Sequence, residues 1–285
     1  MKRLFSFLFA ILIFGCQTQQ TTFTFTAIPD QDTSGLEERF GKIANYLSKE
    51  LDIIVKYIPV KSYSASVEAF KNNQVQLAWF GGLSGVKARM SVPESQAIAQ
   101  GKNDPNFHSF IIAHESTGLN FSEEFPKSIK DKTFTFGSKG STSGRLMPEL
   151  FIRKEFNELP ENIFERVGYS GDHSKTIQLV QSSAFEIGAV NYKVWAKELK
   201  AGKIDLEKVK IIWKTPPYPD YNWSIRGDVD SQFGEGFLKK VQKAIIDLND
   251  KEILDQFPRE SFIPATNEMF TPILETAQEV GIIRK

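Results

Sequence analysis

Short apolar runs alternate with stretches of helical period along the first third of the chain, and few folds accommodate that order. Residues 22–27 place Phe23, Phe25 and Ala27 on one face, and Ile28-Pro29 ends the run. Residues 36–51 set Leu36, Phe40, Ile43, Leu47 and Leu51 on one helical stripe. Residues 52–60 are the next strand, and 64–72 the next helix, with Val67 and Phe70 inward. A third strand at 75–80 is closed by Gly81-Gly82. Strands and helices in such succession build a parallel sheet with helices on both faces. Open α/β sheets bind ligands beyond the carboxyl ends of their strands. The loops after Pro29 and Phe80 are therefore where function is expected.

The alternation resumes in a second unit. Phe110-Ile111-Ile112-Ala113 reads as a strand of the first unit, and the polar segment 114–118 predicts the first chain crossing. Strands at 132–136, 186–190 and 209–213 then alternate with helices at 146–156, 174–182 and 192–199. Thr215-Pro216-Pro217-Tyr218-Pro219 is too rich in proline for a helix or a central strand, so it predicts a semi-rigid crossing back. A strand at 222–225, a helix at 233–248 and the tail complete the first unit. The expected fold is α/β with two domains, 23–113 plus 221–285 and 114–220, and a ligand cleft between them.

Within the second unit one stretch stands out. Thr133-Phe134-Thr135-Phe136 runs as a strand into Gly137-Ser138-Lys139-Gly140-Ser141-Thr142-Ser143-Gly144-Arg145, and an apolar helix follows. A strand that turns through glycines into a hydroxyl-rich helix start makes a cradle for an anion. The first amides of the helix lack partners, the helix dipole favours negative charge, and the hydroxyls add donors. Ser141, Thr142 and Ser143 fit plain helix capping as well. Pro148 falls one turn inside this helix and removes a backbone bond to Gly144, which predicts a tight or kinked first turn from Ser141 to Met147.

The N-terminus reads as a processing signal. Met1-Lys2-Arg3 is basic, residues 4–14 form an apolar core too short to span a bilayer, and Ile13-Phe14-Gly15-Cys16 resembles a bacterial lipobox. Residues 1–16 are thus a lipoprotein signal peptide and 17–22 a tether. Cys16, the chain's single cysteine, is the expected site of lipid attachment, with the mature protein anchored in the periplasm. Lys+Arg and Asp+Glu stand at 35 each, so no global field draws the chain to nucleic acid, and any preference for anions has to be local.

Enzyme motifs are mostly missing. Three histidines without a His-Glu-x-x-His pattern argue against a hydrolytic zinc site, and no Gly-Lys-Ser/Thr closes the glycine-rich stretch as a nucleotide loop. Ser84-Gly85-Val86-Lys87 has a nucleophile–lysine spacing but no Lys-Thr-Gly partner. No catalytic residue, metal or cofactor is expected. His173 in Gly171-Asp172-His173 opens a helix at a strand-to-helix junction, where it either caps or donates to the anion. Tyr63 precedes a helix, and Trp79-Phe80 end a strand before two glycines.

Together, residues 73–81 (Asn-Gln-Val-Gln-Leu-Ala-Trp-Phe-Gly), Gly140-Ser141-Thr142-Ser143-Gly144, Gly171-Asp172-His173 and Trp213-Lys214-Thr215-Pro216 occur in an order and spacing that resemble the PhnD-type substrate-binding proteins of phosphonate and phosphite ABC transporters. The resemblance covers most of the mature chain and implies a type II periplasmic-binding-protein fold that closes on its ligand by hinge motion without catalysis. It implies that Ser141, Thr142 and Ser143 hold the oxyanion, that Tyr63 and His173 donate from facing loops, and that Asp220 and Tyr221 lie at a polar ligand contact. Trp79, Phe80, Phe107 and Tyr221 are the candidates for an apolar wall. Implied partners are a membrane permease and an ATPase, with the binding protein itself a monomer. Members that take aminoalkylphosphonates carry an acidic residue after the strand at 186–190. Here Asn191-Tyr192-Lys193-Val194 offers none, which favours phosphite or methylphosphonate. The chain also resembles members proposed to carry selenate. An exported enzyme acting on small phosphorylated substrates, or a sensor module of the same fold, are the other readings of these residues.

Overall fold

The computed structural model describes residues 22–31 and 33–284. The signal peptide, Cys16 and nearly all of the tether lie outside the described residues. The chain opens with β1 (Phe23–Ala27), β2 (Val55–Tyr57), β3 (Leu77–Phe80) and β4 (Gln96–Gly101). It crosses to β5 (Ser109–His114), β6 (Thr133–Phe136), β7 (Arg166–Tyr169), β8 (Ile187–Asn191) and β9 (Val209–Lys214), then returns for β10 (Asn222–Ile225) and β11 (Phe262–Pro264). Two sheets result, ordered β11-β4-β10-β3-β1-β2 and β7-β6-β8-β5-β9.

Two expectations are corrected. The strand at 110–113 belongs to the second sheet, where β5 pairs antiparallel with both β8 and β9. The first crossing therefore falls between Gly101 and Ser109, not after Ala113. The polar residues 114–118 form only a 3-10 turn that follows the strand. The sheets are also mixed rather than parallel. β1 runs parallel to β2 and β3, and β6 runs parallel to β7 and β8, but the strand that enters each sheet straight from a crossing, β5 or β10, arrives in the opposite direction.

The return crossing lies at 215–221 as its prolines predict. Both crossings meet in a short ribbon where Phe107 and Tyr218 exchange two backbone bonds of 2.9 Å. This ribbon joins the two lobes.

The first lobe closes on an aromatic core. Phe25 packs edge-on to Phe40 at 6.1 Å, and Trp223 lies 5.3 Å from Trp79 and 5.8 Å from Phe25. Rings of this size bury roughly 150–250 Å² each, so such a cluster carries much of the lobe's stability. The helix Thr33–Leu51 lays the predicted stripe of Leu36, Phe40, Ile43 and Leu47 into it. In the second lobe Phe134 and Phe136, both fully buried, play the same part beneath the helix Met147–Phe156. Both sheets bring the loops after β1, β3, β6 and β8 to the seam between the lobes.

Candidate functional site

The hydroxyl-rich stretch after β6, expected to be tight or kinked, is irregular in the wider sense. Residues Thr142–Leu146 form a π turn in which Leu146 N donates to Ser141 O at 3.1 Å and Met147 N to Thr142 O. Pro148 is the reason. Without an N–H it leaves the Gly144 carbonyl unclaimed, and Gly137 N donates to that oxygen at 2.8 Å, pinning the end of β6 to the helix start. Ser143 O is likewise taken from outside, by Ser109 Oγ at 2.7 Å. Ser141 caps the turn, its Oγ accepting from Gly144 N at 2.9 Å. The amides of Thr142 and Ser143 have no acceptor among the described residues.

Four other loops converge on this turn. His173 starts the helix His173–Gln181 and is 1% exposed. Its amide donates to Asp30 O at 3.0 Å, its Nδ1 accepts from Asn191 N at 3.3 Å, and its Nε2 faces Ser143 Oγ at 3.4 Å. An amide that donates to Nδ1 fixes the tautomer: the ring proton sits on Nε2, directed into the cradle. Burial lowers this imidazole to about 4, so it is a neutral donor at physiological pH.

Tyr63 opens the helix Tyr63–Lys71 behind its Ser62 cap and is 2% exposed. It lies so close to Gly140 that a Cβ there would meet Tyr63 Cβ at 3.0 Å. Its hydroxyl is buried without a hydrogen-bond partner, and burial pushes it well above the usual phenol range. Asp220 accepts from Gly82 N at 2.6 Å and from Tyr221 N at 2.9 Å through one oxygen. Leu83 N donates to Thr142 Oγ1 at 3.0 Å across the seam. A Cβ on Gly81 would stand 3.3 Å from both Asp220 Oδ1 and Thr142 Oγ1, so only glycine lets the two lobes approach there.

Tyr221 makes the floor. Its hydroxyl donates to Asp30 Oδ2 at 2.6 Å and accepts from Asn191 Nδ2 at 2.8 Å, and its ring stacks on Trp79 at 5.4 Å. Its φ of 32° is in the left-handed region, a strain of about 1–3 kcal/mol that this double anchoring sustains.

Ser141, Thr142, Ser143, Tyr63, His173, Asp220 and Tyr221 are thus brought together. Trp79 stands behind Tyr221 as a support. Phe80 is not in the cradle: strand alternation turns it to the opposite face, where it packs on Phe70 at 5.7 Å. Phe107 backs Tyr221 at 5.3 Å. Two participants escaped the sequence reading, Asp30 and Asn191. Both stand at the carboxyl ends of strands, after β1 and at the end of β8, and that position alone could have found them.

The chemistry is recognition. A Ser–His pair is present, but His173 Nδ1 is held by an amide instead of a carboxylate, and burial outweighs the pull of Asp30 toward an imidazolium. A ring lowered to about 4 cannot serve as a base for Ser143 at neutral pH. Around the mouth, Lys87, Lys139 and Arg145 line a cavity of about 320 Å³ with Tyr63 and Ser84. Local positive charge thus surrounds an entrance on a chain of zero net charge.

A family model described as ABC transporter, phosphonate, periplasmic substrate-binding protein matches residues 25–270. The chain belongs to this family. A probable ABC transporter phosphite binding protein of Prochlorococcus marinus (strain MIT 9301), PhnD1, is 41% identical over 265 residues, 90% of this chain and 89% of that one. The solved structure of PhnD1 from Prochlorococcus marinus in complex with methylphosphonate superposes with a TM-score of 0.87, at 39% identity, over 92% of this chain and 99% of that one. A binding-protein component of an ABC phosphonate transporter from Pseudomonas aeruginosa gives 0.79 at 20% identity, over 92% and 87% of the two chains, a likeness of fold. The chain is therefore a two-domain periplasmic substrate-binding protein of the ABC-transporter kind and not an enzyme.

Asp220 yields a testable pH dependence. Burial raises its carboxyl to about 6 from an ordinary 3.8. The protonated form is the comfortable one, so the group's contribution to stability is present below pH 4 and is lost as pH rises through 6. Ligand-free Asp220→Asn should exceed the parent by only about 1 kcal/mol near pH 4.5 and by up to about 3 kcal/mol at pH 8. Thermal unfolding at the two pH values checks this; equal differences at both would contradict it.

Proposed function

We propose that this chain captures a small tetrahedral phosphorus oxyanion, phosphite or methylphosphonate, and delivers it to the permease and ATPase of an ABC importer. It would act as a monomer held at the membrane by lipid on Cys16. The observation that carries the ligand assignment is the set of neutral donors converging on one point: the amides of Thr142 and Ser143, the hydroxyls of Ser141 and Tyr63, and His173 Nε2. Neutral donors suffice for an anion in a water-excluding cleft, where each bond is strengthened.

Two features narrow the class. The Tyr221–Trp79 stack sets an aromatic wall beside the donors, suited to a hydrogen or a methyl on phosphorus. Asn191 spends its amide on Tyr221 and on the helix that follows, so this position offers an amide and not a carboxylate to an amino group. Asp220 adds selectivity by protonation state. A carboxylate among donors favours an oxyanion that still carries a P–OH to donate, and disfavours sulfate and selenate, which have none. The bound methylphosphonate of PhnD1 agrees with this reading.

Titration calorimetry against phosphite, methylphosphonate, 2-aminoethylphosphonate, phosphate, sulfate and selenate tests it. The first two are expected to bind about a hundredfold or more tighter than the rest, the loss that follows when a buried polar group goes unpaired. If none of the six raises the melting temperature, the oxyanion reading fails.

A further inference from the structure

A second concentration of positive charge lies away from the cradle, on the far side of Tyr221. A cavity of about 610 Å³ opens between the helix Thr33–Leu51 of the first lobe and the helix Tyr192–Lys200 of the second. Arg39, Lys193, Lys197 and Lys200 line it, with two carboxylates, Glu38 and Asp255. Both carboxylates have cations of their own on their own helices: Glu38 is 3.5 Å from Lys42, and Asp255 is 2.7 Å from Lys251. Among the described residues no carboxylate oxygen lies within 4.0 Å of any of the four lining cations. Lys193 Nζ donates to the Pro258 carbonyl at 3.1 Å and Lys197 Nζ to Gln31 Oε1 at 2.5 Å, both neutral acceptors.

Arg39 is the decisive group. It is 4% exposed, its Nε is buried without a partner, and its guanidinium lies against the rings of Phe40 and Phe257. A buried guanidinium ordinarily finds a carboxylate or phosphate against it; here Asp30 draws on Arg39 from beyond ion-pair distance and does not offset the cost of its burial. The neighbouring amines feel the same deficit. Burial, then Arg259, brings Lys193 down to about 8, and burial, then Arg39, lowers Lys197.

We infer that this seam is a second anion site, which takes a small multiply charged phosphate-type anion between Arg39 and the lysines of the helix Tyr192–Lys200. Its cations come from both lobes and repel one another across the gap. An anion seated among them relieves that repulsion and favours the closed arrangement, whatever occupies the cradle. The site therefore couples closure to the ionic surroundings of the protein.

The test uses inorganic pyrophosphate titrated into the mature chain at constant ionic strength, with the serine–threonine variant separating the seam from the cradle. Binding is expected in the parent and, undiminished, in Ser141→Ala/Thr142→Ala. It is expected to weaken about tenfold or more in Lys193→Gln/Lys197→Gln, whose half-exposed and exposed side chains can be changed without loss of melting temperature. Small-angle scattering should show the radius of gyration shrinking with pyrophosphate in the parent and not in the lysine variant. No binding to the parent, loss in the serine–threonine variant, or indifference to the lysines would overturn the site. An unchanged radius would overturn its role in closure. None of these readouts uses the cradle's ligand, so they stand apart from the calorimetric panel above.

Discussion

Replacing Ser141 and Thr142 together by alanine is expected to lower affinity for methylphosphonate roughly a thousandfold, with only a modest loss of stability. A Ser141 hydroxyl that donates to the anion contributes about 1.5–3 kcal/mol, roughly one to two orders of magnitude, and the loss of Thr142 is expected to supply the remainder. Thr142 contributes in a second way. Its Oγ1 also accepts from Leu83 N across the seam, so its loss removes one of the bonds that hold the lobes shut. Stability is expected to respond mainly to the lost cap, since Ser141 Oγ satisfies Gly144 N. A cap of this type contributes about 1 kcal/mol, or roughly 2–4 °C in a chain of this size. Calorimetry and thermal unfolding of one preparation separate the two effects. Affinity and melting temperature collapsing together would mean that the stretch is only structural.

Tyr63→Phe is expected to move the two quantities in opposite directions. The Tyr63 hydroxyl is buried and unpartnered, which costs about 1–3 kcal/mol in the ligand-free protein. Phenylalanine removes that cost while keeping the ring against Gly140, so the ligand-free variant should melt at the same temperature or higher. Affinity for methylphosphonate should fall about ten- to a hundredfold if, as proposed, the hydroxyl donates to the oxyanion. A drop in stability together with unchanged affinity would show that the hydroxyl serves the fold and not the ligand.

Much of the site was legible because it sits where backbone rules put it. Glycine and hydroxyl residues after a strand, in Gly140-Ser141-Thr142-Ser143-Gly144, announce a helix start with free amides whatever the rest of the chain does. Pro148 announced an irregular first turn for the same reason. What was not legible depends on which strand neighbours which. The run at 110–113 is as apolar as a strand of either sheet, and nothing local shows that it pairs with β8 and β9. Phe80 was misplaced because residues 79 and 80 are both aromatic, and only the neighbouring helix decides which of them faces the seam. Asp30 was hidden in a different way. Its importance lies in two long-range bonds, to Tyr221 and from His173, that no spacing encodes.

The placement of β10 has a consequence for the order in which the molecule can be completed. The second lobe is written in one unbroken stretch, from Ser109 to Lys214, and all five of its strands are present once that stretch is made. The first lobe is not. Its strand β10 lies between β3 and β4, so the sheet begun by the N-terminal residues has a gap in its middle until residue 225 arrives. Meanwhile β3 presents one unpaired edge and β4 two, the kind of surface on which chains associate wrongly. A protein delivered unfolded across a membrane from its N-terminus thus meets its greatest risk of misassembly early, in the lobe that starts first and finishes last. Substitutions in Asn222–Ile225 should accordingly reduce the yield of soluble protein more than their effect on the finished structure would suggest.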